Sequence, residues 1–192
     1  MQAVLDIISA WINAGNDEEP LILSKLEDIT VLPSLPEGVQ HLKCTECYLT
    51  SLPALPDTLL TLDCQINHLT ELPLLPTGLQ ELYCGDNKLT SLPSLPTTLT
   101  VLDCPDNILN TVPVLPSGLQ YLNLRFNRLT ELPVLPTELQ ELDCSINHLT
   151  ILPNLPSALR MLDCSDNKLT MLPSLPTGLQ LDCFGNMLPI GV

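Results

Sequence analysis

Eight cysteines, three histidines and a surplus of carboxylates are the side chains of this 192-residue chain that have chemistry to offer. Cys44-x-x-Cys47 has the spacing of half a zinc site, and eight thiols could also pair as disulfides. Their positions argue for neither. Cys44, Cys64, Cys84, Cys104, Cys144 and Cys164 recur at one fixed interval, Cys183 follows one residue early, and Leu124 fills the place in the copy that lacks cysteine. A place that accepts Leu or Cys calls for a small apolar group, so packed free thiols are expected, with no metal and no cofactor. Free thiols in such number suit a reducing compartment. His68 and His148 stand four copies apart, about 19 Å at about 4.8 Å per neighbouring strand, too far to share an ion. His41 has no histidine partner, and solvated imidazoles are expected at all three.

The carboxylates form a column. One position in successive copies reads Lys43, Asp63, Tyr83, Asp103, Asn123, Asp143, Asp163 and Asp182. Neighbouring like charges about 5 Å apart cost roughly 1 kcal/mol per pair in water. Two readings stand side by side: Asp is the ordinary residue of the repeat and solvent screens it, or the row attracts a cation or a basic partner. The aromatics are few, and in this register Tyr48, Tyr83, Tyr121, Phe126 and Phe184 all miss the inward positions. Tyr121-Leu122-Asn123-Leu124-Arg125-Phe126-Asn127-Arg128 departs most from its siblings. Tyr and Arg dominate binding hot spots, and drift at free surface positions is the plain alternative. The candidate partner-binding set is therefore Tyr83, Asp103, Tyr121, Asn123, Arg125, Phe126, Asp143, Asp163, Asp182 and Phe184, with no catalytic residue among them.

The elements that carry these residues follow from a repeat. Proline pairs at 33 and 36, 53 and 56, and onward to 173 and 176 mark a period of 20 residues. Each unit reads L-x-x-L-D-C-x-x-N-x-L-T-x-L-P-x-L-P-x-x, the pattern of a leucine-rich-repeat solenoid. Leu62 and Cys64 alternate with outward neighbours, which predicts a short strand over 61–65 stacked in parallel on the next copy. Asn67, Asn87, Asn107, Asn127, Asn147, Asn167 and Asn186 follow the strands, where a buried amide can satisfy turn and neighbour backbone at once. Cys47 takes that place in the first copy. The Leu-Pro-x-Leu-Pro legs predict an extended, polyproline II-like convex side, leaving the parallel sheet on the concave face. Val4, Ile8, Trp11 and Ile12 predict an amphipathic helix over 2–13 that caps the first strand, ended by Gly15 and Asn16. The division expected is a helical cap over 1–20 and repeats over 21–192, with a degenerate strand near 20–24 and one extra residue before the next. The last copy runs one residue short and ends at Gly191-Val192 with no evident polar cap.

Composition narrows the function. A net charge of -15 with seven Lys plus Arg opposes nucleic-acid binding. The first residues lack the basic and apolar regions of a Sec signal, and no stretch nears the roughly 20 apolar residues of a membrane span. A soluble, monomeric product is expected.

Leu-Thr-Ser-Leu-Pro-Ser-Leu-Pro at 89–96 and its siblings across 21–188 resemble the bacterial short, LPxLP-type leucine-rich-repeat effector family. That family includes the repeat domains of invasion-plasmid-antigen-H type ubiquitin ligases and the Yersinia outer protein M scaffold. The resemblance implies a non-enzymatic interaction module, secreted by a bacterium into host cytosol, that binds a host protein through its concave face; bacterial cytoplasm is the alternative location. The ligases have a longer, two-helical cap and a C-terminal catalytic domain with a nucleophilic cysteine, neither matched here, so no catalytic residue carries over. The alternative function is the substrate-recognition domain of a larger ligase, and a purely structural or adhesive repeat is a third.

Overall fold

The computed structural model describes residues 1–15, 19–26 and 29–189. It opens with α1 (Gln2–Ala14), which Gly15 ends in the left-handed conformation at φ 64, its N–H donating to the Ile12 carbonyl. Val4, Ile8 and Trp11 are buried, and the Trp11 indole N–H donates to the Glu19 carbonyl at 3.0 Å. Ile12 is the exception: the sequence pattern assigns it to the apolar stripe, yet it is 53% exposed. A short strand offers the helix only a narrow contact, which three apolar residues already fill. Asn16 and Gly191-Val192 lie outside the described residues.

Nine short strands follow: β1 (Leu21–Ile22), β2 (His41–Lys43), β3 (Thr61–Asp63), β4 (Glu81–Tyr83), β5 (Val101–Asp103), β6 (Tyr121–Asn123), β7 (Glu141–Asp143), β8 (Met161–Asp163) and β9 (Gln180–Asp182). They form one sheet in chain order, every pair parallel. The interior pairs keep a 20-residue register, as in Leu62↔Leu82. The ends deviate as their sequences require: Leu21 faces Leu42 and Leu162 faces Leu181. The strands are shorter than the 61–65 span expected, because the chain turns aside immediately after the outward Asp63 position. Between strands, among the described residues, the proline legs hold no helix and no strand, only a two-residue turn before each return.

The core is a set of ladders. Leu62 and Cys64 and their counterparts in repeats 42 to 164 are at most 2% exposed, Leu124 included. The cysteines are free thiols, seven of them buried and Cys183, in the last copy described, only partly so. Burial pushes the Cys44, Cys64 and Cys144 thiols up, and Cys164 up to about 12. For Cys84 the hydrogen bond with Cys104 acts first and burial second, in the same direction. The asparagine ladder binds copy to copy. Asn67 Nδ2 donates to the Cys44, Cys64 and Gln65 carbonyls, while its Oδ1 accepts the Cys47 and Leu49 N–H groups at 3.2 and 2.9 Å. In the first copy the Cys47 thiol donates to the Leu23 and Thr45 carbonyls, standing in for the amide.

Just before each ladder asparagine the backbone turns left-handed. Glu46, Ile66, Asp86, Asp106, Phe126, Ile146 and Asp166 all have φ between 51 and 57, and Gly185 follows at 72. This turn lets successive N–H groups reach the next copy, as Ile66 N–H does with the Gly85 carbonyl at 3.0 Å.

Candidate concave-face binding site

Outward side chains of the strands form the concave surface, and the structure divides it into two grooves. The N-terminal groove, ≈ 270 Å³, is lined by His41, Lys43, Thr61, Asp63 and Tyr83 among others. Lys43 Nζ lies 3.1 Å from Asp63 Oδ2, so its charge is internally balanced. His41 Nδ1 lies 3.1 Å from Thr61 Oγ1. The Tyr83 hydroxyl donates to Glu81 Oε2 at 3.2 Å; burial, then the Glu81 charge, raise its pKa to about 12, so the phenol stays neutral.

The C-terminal groove, ≈ 430 Å³, is lined by Tyr121, Glu141, Asp143, Met161, Asp163, Gln180 and Asp182 over the Leu142, Leu162 and Leu181 strand centres. Four carboxylates face this groove and no Lys, Arg or His lines it. The ring of Tyr121 and the half-exposed Met161 give it apolar walls. Burial and then the Asp103 charge raise the Tyr121 pKa, leaving a neutral donor.

Local backbone chemistry explains the column of aspartates. The Ser145 N–H and hydroxyl donate to Asp143 Oδ1 at 2.9 and 2.6 Å, and Ser165 does the same to Asp163. Phe184 N–H donates to Asp182 Oδ1 at 3.1 Å. Each aspartate thus caps the exit of its strand as an Asx-type turn, with Oδ2 making no such bond. Asn123 does the same for the Arg125 N–H at 3.0 Å while donating to Asp103 Oδ1 at 2.8 Å. Burial is the main cause of the raised Asp103 pKa; the Asn123 bond opposes it, and Asp63, Asp143 and Asp86 add to it.

Of the residues singled out in sequence, Tyr121, Asp143, Asp163 and Asp182 are brought together in the C-terminal groove. Tyr83 lies in the other one. Asp103 and Asn123, half-buried on β5 and β6, line neither groove, and Arg125 is exposed beyond the end of β6. Phe126 stands past that strand exit, 53% exposed, in a separate groove on the flank. Phe184 lies two residues beyond β9, 81% exposed. Glu141 and Met161 were missed; they occupy the outward position that opens each strand, where the other copies carry His41, Thr61, Glu81, Val101, Tyr121 and Gln180, so only their place on an outward position could have pointed to them. Among the described residues no group of three His, Cys, Asp or Glu is arranged to hold a metal ion, and no helix is long and apolar enough to cross a membrane.

The Leucine Rich Repeat family model matches residues 118–137. No curated protein sequence matches the chain. Among solved structures the fold is similar to a Shigella effector LRR domain, at 32% identity and TM-score 0.78 over 86% of this chain and 76% of that one. It is also similar to YopM from Yersinia enterocolitica WA-314 at 29% identity and TM-score 0.48, over 97% of this chain and 55% of that chain. A functional domain of InlJ from Listeria monocytogenes that includes a cysteine ladder matches at 24% identity and TM-score 0.49, over 84% of this chain and 50% of its own. With the repeat, the register and the Shigella likeness in agreement, the chain belongs to the bacterial short leucine-rich-repeat family of which that effector domain is a member.

Proposed function

We propose that the protein is a non-enzymatic interaction module that grips a protein partner with a basic surface along the C-terminal half of its concave face. The observation that carries this reading is the groove at Tyr121, Asp143, Met161, Asp163 and Asp182, where carboxylates surround an apolar floor without a cation. Strand-exit hydrogen bonds hold those carboxylates in place before any partner arrives, which lowers the ordering cost of binding. Tyr121 supplies the anchor, and Arg125 a polar contact at the margin. Likeness to a Shigella effector domain supports an effector acting in host cytosol. Free thiols throughout the core agree with that reducing compartment or with the bacterial cytoplasm. Because the similar Shigella structure is itself one domain of an effector, substrate recognition within a larger ligase is the second reading, decided by whether the natural reading frame continues past Val192.

The test is to capture a partner from host lysate and measure its binding to defined variants. Tyr121→Ala or Arg125→Ala should cost about 1 to 3 kcal/mol, chiefly through faster dissociation. Asp143→Asn with Asp163→Asn should slow association and weaken its salt dependence, with the strand-exit cap preserved as Asn123 preserves it. Exposed convex-side changes, Ser94→Ala and Asn154→Ala, should leave binding untouched. A partner lost on convex changes but retained by the Tyr121 and aspartate variants would refute the concave assignment.

A further inference from the structure

The flank of the solenoid beyond the strand exits carries a second pair of grooves that the concave reading does not use. The first, ≈ 550 Å³, is walled by Tyr48, Ile66 and His68, with Glu46, Asp86 and Asp106 at its rim. The second, ≈ 450 Å³, is walled by Phe126, Ile146 and His148, with Asp166 and Arg128 at its rim. Each therefore has an aromatic ring from the preceding copy, an isoleucine, an imidazole and a carboxylate. Tyr48 meets His68 edge-on at 5.7 Å between ring centres. The likeness extends to the sequence: Ile-Asn-His-Leu-Thr occurs at 66–70 and 146–150, and Asp-Asn-Lys-Leu-Thr at 86–90 and 166–170. Four copies at about 4.8 Å put the two grooves about 19 Å apart.

The isoleucines are out of place on folding grounds. Ile66 and Ile146 have φ 55 and 53, a backbone region that Gly, Asn and Asp enter readily and β-branched residues enter seldom. Asp occupies the same place at 86, 106 and 166. Burial does not compensate at Ile66, which is 51% exposed beside Tyr48 at 58%, and Ile146 is only partly covered, beside Phe126 at 53%. An apolar side chain that the backbone disfavours and the core does not use is suited to contact something outside the chain.

We propose that this flank is a two-point docking surface, separate from the concave groove, for an amphipathic helix of a partner protein. The helix would seat one apolar side chain in each groove, with a basic residue beside the first. Charge complementarity selects that chemistry: Glu46, Asp86 and Asp106 outnumber Lys25 around the first groove, and Lys25 is itself 3.9 Å from Glu46. The second groove is balanced by Arg128 and contributes its apolar contact. Leucines two heptads apart on a helix, about 21 Å at 1.5 Å per residue, match the spacing.

The probe is a fluorescein-labelled helical peptide of Ala and Gln, with leucines about fourteen residues apart (about 21 Å) and an arginine one turn from one of them. Its binding to the full chain is read by fluorescence polarisation. Wild type should bind it and not the version with Glu for Arg. Ile66→Asp and Ile146→Asp should each weaken binding by about tenfold or more, the first despite adding a negative charge, and neither should melt below wild type, because Asp suits the left-handed backbone. The concave pair Asp143→Asn and Asp163→Asn should leave the peptide's affinity unchanged. No binding to wild type, equal binding to the isoleucine variants, or sensitivity confined to the concave pair would each overturn the proposal, and none of them bears on the concave groove's own partner.

Discussion

Raising the pH from 8 to 10 should strip the protein of a large part of its stability, because its core is built on thiols that cannot ionise where they sit. In the unfolded chain a cysteine titrates near 9.0, whereas Cys44, Cys64, Cys84 and Cys144 are held well above that value in the fold. A group with a raised folded pKa contributes stability that is complete below its unfolded pKa and is lost as pH rises toward the folded one. One pH unit past the unfolded value, each such thiol has forfeited about 1.4 kcal/mol, a figure set by the pH interval and not by how far the folded pKa is displaced. The four together forfeit about 5 to 6 kcal/mol, comparable to the whole stability of many domains, about 5–15 kcal/mol. Cys164, with a folded pKa of about 12, also stays protonated at pH 10 and acts in the same direction. The assay is guanidinium unfolding under argon with a phosphine reductant, followed by far-UV circular dichroism at pH 8, 9 and 10. Cys64→Ala combined with Cys84→Ala should recover about 3 kcal/mol of the pH-dependent loss, whatever the double change costs at pH 8. A wild type that loses under about 1 kcal/mol between pH 8 and 10, or a double variant with an identical pH dependence, would show that the ladder is not desolvated as the structure has it.

Two more outcomes test the stacking. Asn107→Ala leaves the buried Leu89 N–H without an acceptor and takes one donor each from the Cys84 and Pro105 carbonyls, which keep Asn87 Nδ2 and the Asp86 N–H; with about 1–3 kcal/mol for a buried group left unpaired, it should cost about 2 kcal/mol in urea unfolding, and a melting temperature within a degree of wild type would contradict the ladder's role. Removing residues 1–15 uncovers Leu21 and Leu23, both 0% exposed beneath the cap, so the truncated chain should aggregate or melt markedly lower; an unchanged, monomeric product would reassign α1 to partner contact.

Much of the fold was legible because a strict repeat converts one local argument into eight. Leu62 and Cys64 show period 2, and every copy inherits their inward orientation. The ends were less legible: Ile12 matches the helical stripe as well as Trp11 does, and only the shortness of β1 leaves it in water. Reading the surface was harder still. The aspartate column is visible in the sequence, but that Asp143 and Asp163 cap their own strand exits depends on where Ser145 and Ser165 turn, which no spacing reports. Nor does any glycine mark the left-handed turns at Ile66, Phe126 and Ile146, so the flank passes for ordinary loop until φ is known.

Among the described residues each strand pairs only with the strands before and after it in the chain, and α1 touches the sheet only at β1. Under tension such a molecule behaves as a zip. The N-terminal tooth is held by a helix, whereas at β9, among the described residues, Leu179, Leu181 and Cys183 are only partly covered. Pulled from the C-terminus, the chain can surrender one copy at a time, each releasing about 70 Å of extended polypeptide, and no strand has to cross another for the next to leave. The same linearity makes rewinding local: each returning copy finds its template already formed in its neighbour, so the molecule can be drawn out through a passage no wider than an extended chain and restacked from the capped end.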